Sequence, residues 1–87
     1  MNKRKGKILI VDDDPTNVRF LEKALRDLYI LDKANDGIEA LERVERFRPD
    51  LVLLDIMMPR MDGIEVLKKI RANKKLRFQK IIVVGSS

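Results

Sequence analysis

Two kinds of apolar segment alternate along the chain. Ile8-Leu9-Ile10-Val11, Leu51-Val52-Leu53-Leu54 and Ile81-Ile82-Val83-Val84 are short continuous runs rich in branched side chains. Such runs suit strands buried on both faces, as in a parallel sheet. A weaker strand is predicted over Ile30 to Ala34. Between the runs the pattern changes to a helical period: Val18, Leu21, Leu25 and Leu28 fall on one face of a predicted helix. Pro15 suits the first position of that helix, with Asp14 or a neighbour as its cap. Two further helices open alike, on Asp36-Gly37-Ile38-Glu39-Ala40-Leu41 and Asp62-Gly63-Ile64-Glu65-Val66-Leu67. In each, the Asp can cap and the Glu three residues later can reach back, as in a capping box. We read the shared pattern as one capping problem solved twice rather than as a duplication. Strands that alternate with helices imply right-handed crossovers and one parallel sheet, an α/β architecture.

The size of the chain limits what this pattern can bury. Eighty-seven residues make one small domain, and folding at that size buries only about 60% of the surface the unfolded chain exposes. The core is therefore expected to be marginal. The absence of Cys and His excludes disulfides, thiolate or imidazole metal sites, and nucleophilic triads built on either residue. No apolar run approaches the ~18 residues of a membrane helix, and Met1 to Lys7 is basic without the apolar stretch of a signal peptide. A soluble, cytoplasmic protein is expected. The net charge of +5 is uneven: residues 1–56 carry 11 basic and 12 acidic side chains, residues 57–87 carry 8 and 2. A basic face can attract polyanions. A solvated helix face on Lys68, Lys69, Arg71, Asn73 and Lys74 is the simpler reading, since four aromatic residues provide no stacking platform.

The candidate chemistry lies just after the strands, because ligands of open parallel sheets gather at the strands' carboxyl ends. Asp12, Asp13 and Asp14 follow the first run, Asp55 follows the third, and Gly85, Ser86 and Ser87 follow the last. If the first and third strands are neighbours, at least three carboxylates converge. Like charges at that range must be protonated, separated or neutralised by a cation. An all-oxygen donor set points to a hard divalent ion such as Mg²⁺. A carboxylate beside Mg²⁺ can also attack a phosphoryl group and become an aspartyl phosphate. Acidic residues at strand ends can instead simply cap helices. We assign that role to Asp14 and the chemical one to Asp12, Asp13 and Asp55.

Ile8-Leu9-Ile10-Val11-Asp12-Asp13-Asp14-Pro15 and Leu53-Leu54-Asp55-Ile56-Met57-Met58-Pro59-Arg60-Met61-Asp62-Gly63, together with Ala34-Asn35-Asp36-Gly37-Ile38-Glu39-Ala40-Leu41, resemble the receiver domain of two-component response regulators. The resemblance runs over nearly the whole chain. It implies a flavodoxin-like fold with strand order 2-1-3-4. It also implies Asp55 as the phosphoacceptor, taking its phosphoryl group from a sensor histidine kinase. Asp13 would bind Mg²⁺ (or Mn²⁺) directly, Asp12 would help through water, and the backbone carbonyl of Met57 would complete the protein ligands. Met58-Pro59 and Asp62-Gly63 would shape the loop into the third helix. The expected role is a signalling phosphoacceptor, not an enzyme.

The same resemblance brings departures. A receiver normally has five strands and five helices, so residues 1–87 read as a receiver truncated after the fourth strand. The lysine that the family places after its fifth strand then has no counterpart. Lys80 precedes the fourth strand and is not moved into that role. Ungapped spacing from Asp55 puts Gly85 at the switch-hydroxyl position and Ser86 next to it, which makes Ser86 the candidate. A homodimer through an exposed fourth strand is expected, and so is impaired phosphoryl transfer. Three other readings compete. A signalling-defective remnant would act as a dimerising or interaction module. A basic nucleic-acid-binding module would use residues 57–87, but nucleic acid is not the expected partner. Finally, Asp12-x-Asp14-x-Thr16 resembles the first motif of haloacid-dehalogenase-type phosphotransferases, and Gly85-Ser86-Ser87 could mimic their second. Those enzymes need a further lysine, an acidic pair and a larger fold, and the Asp55 to Gly63 stretch fits receivers better.

Overall fold

A computed structural model of the chain describes residues 5–55 and 63–84. The elements run β1 (Lys7–Val11), α1 (Pro15–Leu25), β2 (Ile30–Ala34), α2 (Gly37–Phe47), β3 (Leu51–Asp55), α3 (Gly63–Ala72) and β4 (Ile81–Val84). The strands form one parallel sheet in the order β2-β1-β3-β4. This is the order implied by the receiver resemblance.

The continuous apolar runs are explained by burial on two faces. Leu9 and Val11 of β1 and Val52 and Leu54 of β3 point into one core, with Ala40 and Val44 of α2 and Val66 and Ile70 of α3. Ile8 and Ile10 point the other way and pack with Val18 of α1, flanked by Leu21, Leu25, Leu51 and Leu53. The two faces are unequally covered. Val52 and Leu54 are fully buried, whereas Leu51 and Leu53 remain partly exposed under α1. β4 is less protected still: Ile82, Val83 and Val84 are 51%, 43% and 46% exposed.

Local chemistry sets the helix ends. Asp14 caps α1, its Oδ1 accepting the Thr16 N–H at 2.9 Å, and Pro15 opens the helix. Asp36 caps α2 by accepting the Glu39 N–H at 2.7 Å, and Glu39 Oε1 reaches back to accept the Asn35 N–H at 2.9 Å. The reciprocal bond thus falls one residue before the position a standard capping box would use. The corresponding cap at Asp62 lies outside the described residues. The predicted apolar stripe of α1 needs correction: the helix stops at Leu25, and Leu28 sits in the following turn, 66% exposed. Its N–H donates to Leu25 O, so the chain turns toward β2 before Leu28 could join the helix face.

A second correction concerns the basic stretch after Met57. α3 ends at Ala72, which leaves Asn73 and Lys74 beyond the helix. Arg71 is more than a solvated charge. Its Nη1 donates to Arg77 O at 3.0 Å and Gln79 O at 2.8 Å, tying down the loop that leads into β4.

The unequal faces yield a test on adjacent residues of one strand. Leu54→Ala should destabilise the domain by about 3 kcal/mol and Leu53→Ala by roughly half as much, since only the first leaves a closed cavity. Urea titration of both variants measures this. Equal losses would contradict the two-faced packing.

Candidate functional site

The site is built by the register of three strands. β1 pairs with β2 as Val11↔Ala34 and with β3 as Val11↔Leu54, while β3 pairs with β4 as Asp55↔Val84. Asp12 and Asp55, each one step beyond the Val11↔Leu54 pair, therefore come level at the carboxyl edge of the sheet. The backbone holds Asp12 in place: its N–H donates to Ala34 O at 3.1 Å, continuing the β1–β2 ladder past the end of the strand. Asp12 is the one charged residue buried in the core among the described residues, with 6% exposure. Asp13 and Asp55 are half-buried.

The electrostatics are those of a crowded acidic site. Burial raises the pKa of Asp12 above the usual aspartate value, and the charges of Asp55 and Asp13 push it further up. The Asp14 N–H, which donates to Asp12 Oδ1 at 2.9 Å, and the Asn17 side chain act in the opposite direction. The structure thus brings Asp13 and Asp55 close enough for their charges to act on Asp12, and the Asp14 and Asn17 hydrogen bonds only partly offset the rise at Asp12. Asp14 caps α1, as assigned. Met57 and Ser86 lie outside the described residues.

All donors here are oxygens, as a hard divalent ion requires. Among the described residues no three acidic side chains form a ready metal cluster. Mg²⁺ does not need one, since it usually keeps several waters and takes only one or two carboxylates. Asp13 and Asp55 fit that demand, with Asp12 placed beside them.

Sequence reasoning missed a cleft that adjoins Asp12 and Asp13 but not Asp55. The cleft, of about 670 Å³, opens between α1, β2 and α2. Arg43 lines it and grips Asp32 with Nη1 at 2.9 and 3.0 Å from the two carboxylate oxygens, while Glu39 Oε2 stands 3.7 Å from Nη2. Only the Glu39–Arg43 spacing was visible as an i,i+4 pair. Asn17, in the first turn of α1, carried no local signal that it would reach Asp12.

The raised pKa of Asp12, from burial first and from the neighbouring charges second, predicts a pH-dependent cost. A carboxyl group whose folded pKa is raised binds its proton more tightly folded than unfolded, so its contribution falls as pH rises through the folded value. Asn keeps an oxygen to accept the Asp14 N–H but carries no charge. Without divalent metal, Asp12→Asn should raise the urea midpoint at pH 7 and raise it much less at pH 3. A loss of stability at pH 7, or a gain independent of pH, would contradict the assignment.

The comparisons with known proteins agree with this geometry. The family model described as the response regulator receiver domain matches residues 8–87. The Bacillus subtilis alkaline phosphatase synthesis transcriptional regulatory protein PhoP is 48% identical over 75 residues, covering 85% of this chain and 30% of that protein. The chain thus spans about a third of the length of such relatives. Among solved structures, the N-terminal domain of a response regulator receiver protein from Methanoculleus marisnigri JR1 is 40% identical. It superposes with a TM-score of 0.84, over 90% of this chain and 64% of that one. The phosphorylated cyanobacterial phytochrome response regulator RcpA superposes with a TM-score of 0.84 at 29% identity, over 97% of this chain and 67% of that one. With a flavodoxin-like sheet in the order 2-1-3-4, paired carboxylates at its carboxyl edge and a family match over almost its whole length, the chain belongs to the response regulator receiver domains.

Proposed function

We propose that the chain is a phosphoacceptor in two-component signal transduction, with Asp55 receiving the phosphoryl group of a sensor histidine kinase's phosphohistidine. The observation that carries this reading is the levelling of Asp12 and Asp55 by the β1–β3 register, with Asp13 alongside. A carboxylate oxygen of Asp55 attacks phosphorus as the phosphorus–nitrogen bond breaks, and the imidazole nitrogen leaves with the electron pair and is protonated. Asp13 and Asp55 would hold Mg²⁺, with Asp12 placed to orient its water and the Met57 carbonyl as a further donor. Bound there, Mg²⁺ supplies positive charge for the phosphoryl oxygens. Asp12, kept buried by its ladder bond to Ala34, gives that end of the site a fixed anionic wall. The cleft beside Asp12 and Asp13 leaves their approach open. The likeness to a receiver solved in its phosphorylated form supports the same chemistry. In this reading the chain is a substrate of its kinase and not an enzyme, and it works in the cytoplasm. Among the described residues no helix is long and apolar enough to cross a membrane.

Incubation with a small phosphodonor and Mg²⁺, read by intact mass, should give one phosphoryl label that disappears in Asp55→Asn. Labelling that survives Asp55→Asn would overturn the site.

The exposed edge of β4 favours a second property of the same polypeptide. Among the described residues no strand pairs with its outer side, and Ile82, Val83 and Val84 stand about half exposed. Apolar edge strands are templates for pairing, and a two-fold axis would join two β4 strands antiparallel. We propose that the 87-residue chain dimerises this way. Sedimentation at micromolar concentration should show twice the chain mass. A single 10.1 kDa species that melts cooperatively would refute the dimer.

A further inference from the structure

A second cleft lies at the opposite pole of the molecule, where the helices end and the strands begin. It holds about 500 Å³ between the C-terminus of α2 and the loop from α3 to β4. Val44 and Pro49 form a buried floor, and Leu76 packs on the core beside them. Phe78 stands on the rim and is the most exposed large apolar side chain among the described residues, at 83%. The Arg77 guanidinium lies over its ring, 4.7 Å from the centroid.

Three features separate this cleft from an ordinary solvated surface. First, it is held in shape. Gln79 Nε2 donates to Pro49 O at 3.0 Å across the cleft, and Arg71 fixes the carbonyls of Arg77 and Gln79. Second, its charge is one-sided. Arg48 and Lys75 line it, and Lys74, Arg77 and Lys80 flank it in sequence, against Glu45. Among the described residues none of these five cations forms an ion pair. Arg71, the basic residue that satisfies backbone carbonyls, is not among them. Third, Arg48 occupies the left-handed region at φ 51°, ψ 62° as the C-cap of α2. Glycine takes that conformation without the steric penalty a Cβ brings. Strain of this kind, where observed, points toward function.

We propose that this cleft docks an acidic peptide segment carrying an aromatic or aliphatic anchor. An apolar floor with a basic rim matches an amphipathic acidic helix, whose apolar face would lie in the groove with its carboxylates toward Arg48, Lys75 and Arg77. Phe78 is the anchor that contact would bury. A nucleic acid is a poorer match, because it would use the charge but neither the apolar floor nor a single arginine-covered ring. The surface is remote from Asp55, so an occupant would leave the phosphoacceptor edge accessible.

The test uses the full 87-residue chain, a fluorescent amphipathic peptide of Glu with Leu and Phe at helical spacing, and a single-stranded oligonucleotide as the competing polyanion. Binding is followed by anisotropy and mapped by amide chemical shifts. The peptide should shift amides in 44–48 and 75–79 and leave those of Asp12, Asp13 and Asp55 unmoved. Phe78→Ala should weaken it at least fivefold. Arg48→Gly should weaken it several-fold while keeping or raising the urea midpoint, so that lost binding cannot be ascribed to lost folding. No shifts at up to about 1 mM peptide, a range that covers even weak complexes, would overturn the proposal. So would oligonucleotide binding of equal strength that ignores Phe78→Ala.

Discussion

β1 lies in the interior of the sheet, flanked by β2 and β3, and must bury both faces and both edges at once. Its four apolar residues after Lys7 meet that demand, with Leu9 and Val11 turned to α2 and α3 and Ile8 and Ile10 turned to α1. Because the strand is paired on both sides, its register has little freedom, and a slip of one residue would turn every side chain to the wrong face. The same register decides where the chain leaves the sheet. Asp12 emerges still bonded to Ala34 and level with Asp55, so the arrangement of the acidic site follows from the packing of the hydrophobic strand that precedes it.

The direction of the strands extends this logic to the whole molecule. A parallel sheet sends every strand's carboxyl end to one pole and every helix C-terminus to the other. The carboxylates of Asp12, Asp13 and Asp55 gather at the first pole, with the caps Asp14 and Asp36 beside them. The basic side chains of Arg48, Lys75 and Lys80 gather at the second. The charges of Arg48, Lys75 and Lys80 are therefore kept apart from Asp12. Asp12 has a raised pKa, with burial as the main cause and Asp55 and Asp13 adding to it. A cation held there would offset the like charges that act on Asp12, which is the physical basis of the Mg²⁺ proposal.

Much of this was legible in the sequence because it depends on local rules. Continuous branched runs specify doubly buried strands, and Asp14-Pro15 and Asp36-x-x-Glu39 specify helix starts. The acids that follow each run therefore land at the carboxyl edge. What was not legible depends on contacts between distant residues. Leu28 continues the spacing of α1, yet the turn toward β2 ends the helix at Leu25. Arg71 looked like a solvated charge until the loop carbonyls of Arg77 and Gln79 came within its reach. Asn17 beside Asp12, and Arg43 on Asp32, depend on how α1 and α2 sit against the sheet edge, which no sequence window contains. The second capping box at Asp62, the Met57 carbonyl and Ser86 lie outside the described residues, so their sequence readings stand as expectations.

The central claim is that the convergence of Asp12, Asp13 and Asp55 is a cation site whose repulsion Mg²⁺ relieves. Thermal melting of the chain across a Mg²⁺ titration measures that directly, because an ion that binds only the folded state stabilises it by RT ln(1 + [Mg²⁺]/Kd) and so raises the melting temperature. The account predicts a rise in Tm for the parent chain that continues with the logarithm of Mg²⁺ concentration above Kd, and its loss in Asp13→Ala, with both proteins equally folded before metal is added. A parent chain whose melting does not respond to Mg²⁺, or an Asp13→Ala variant that responds as strongly as the parent, would contradict it.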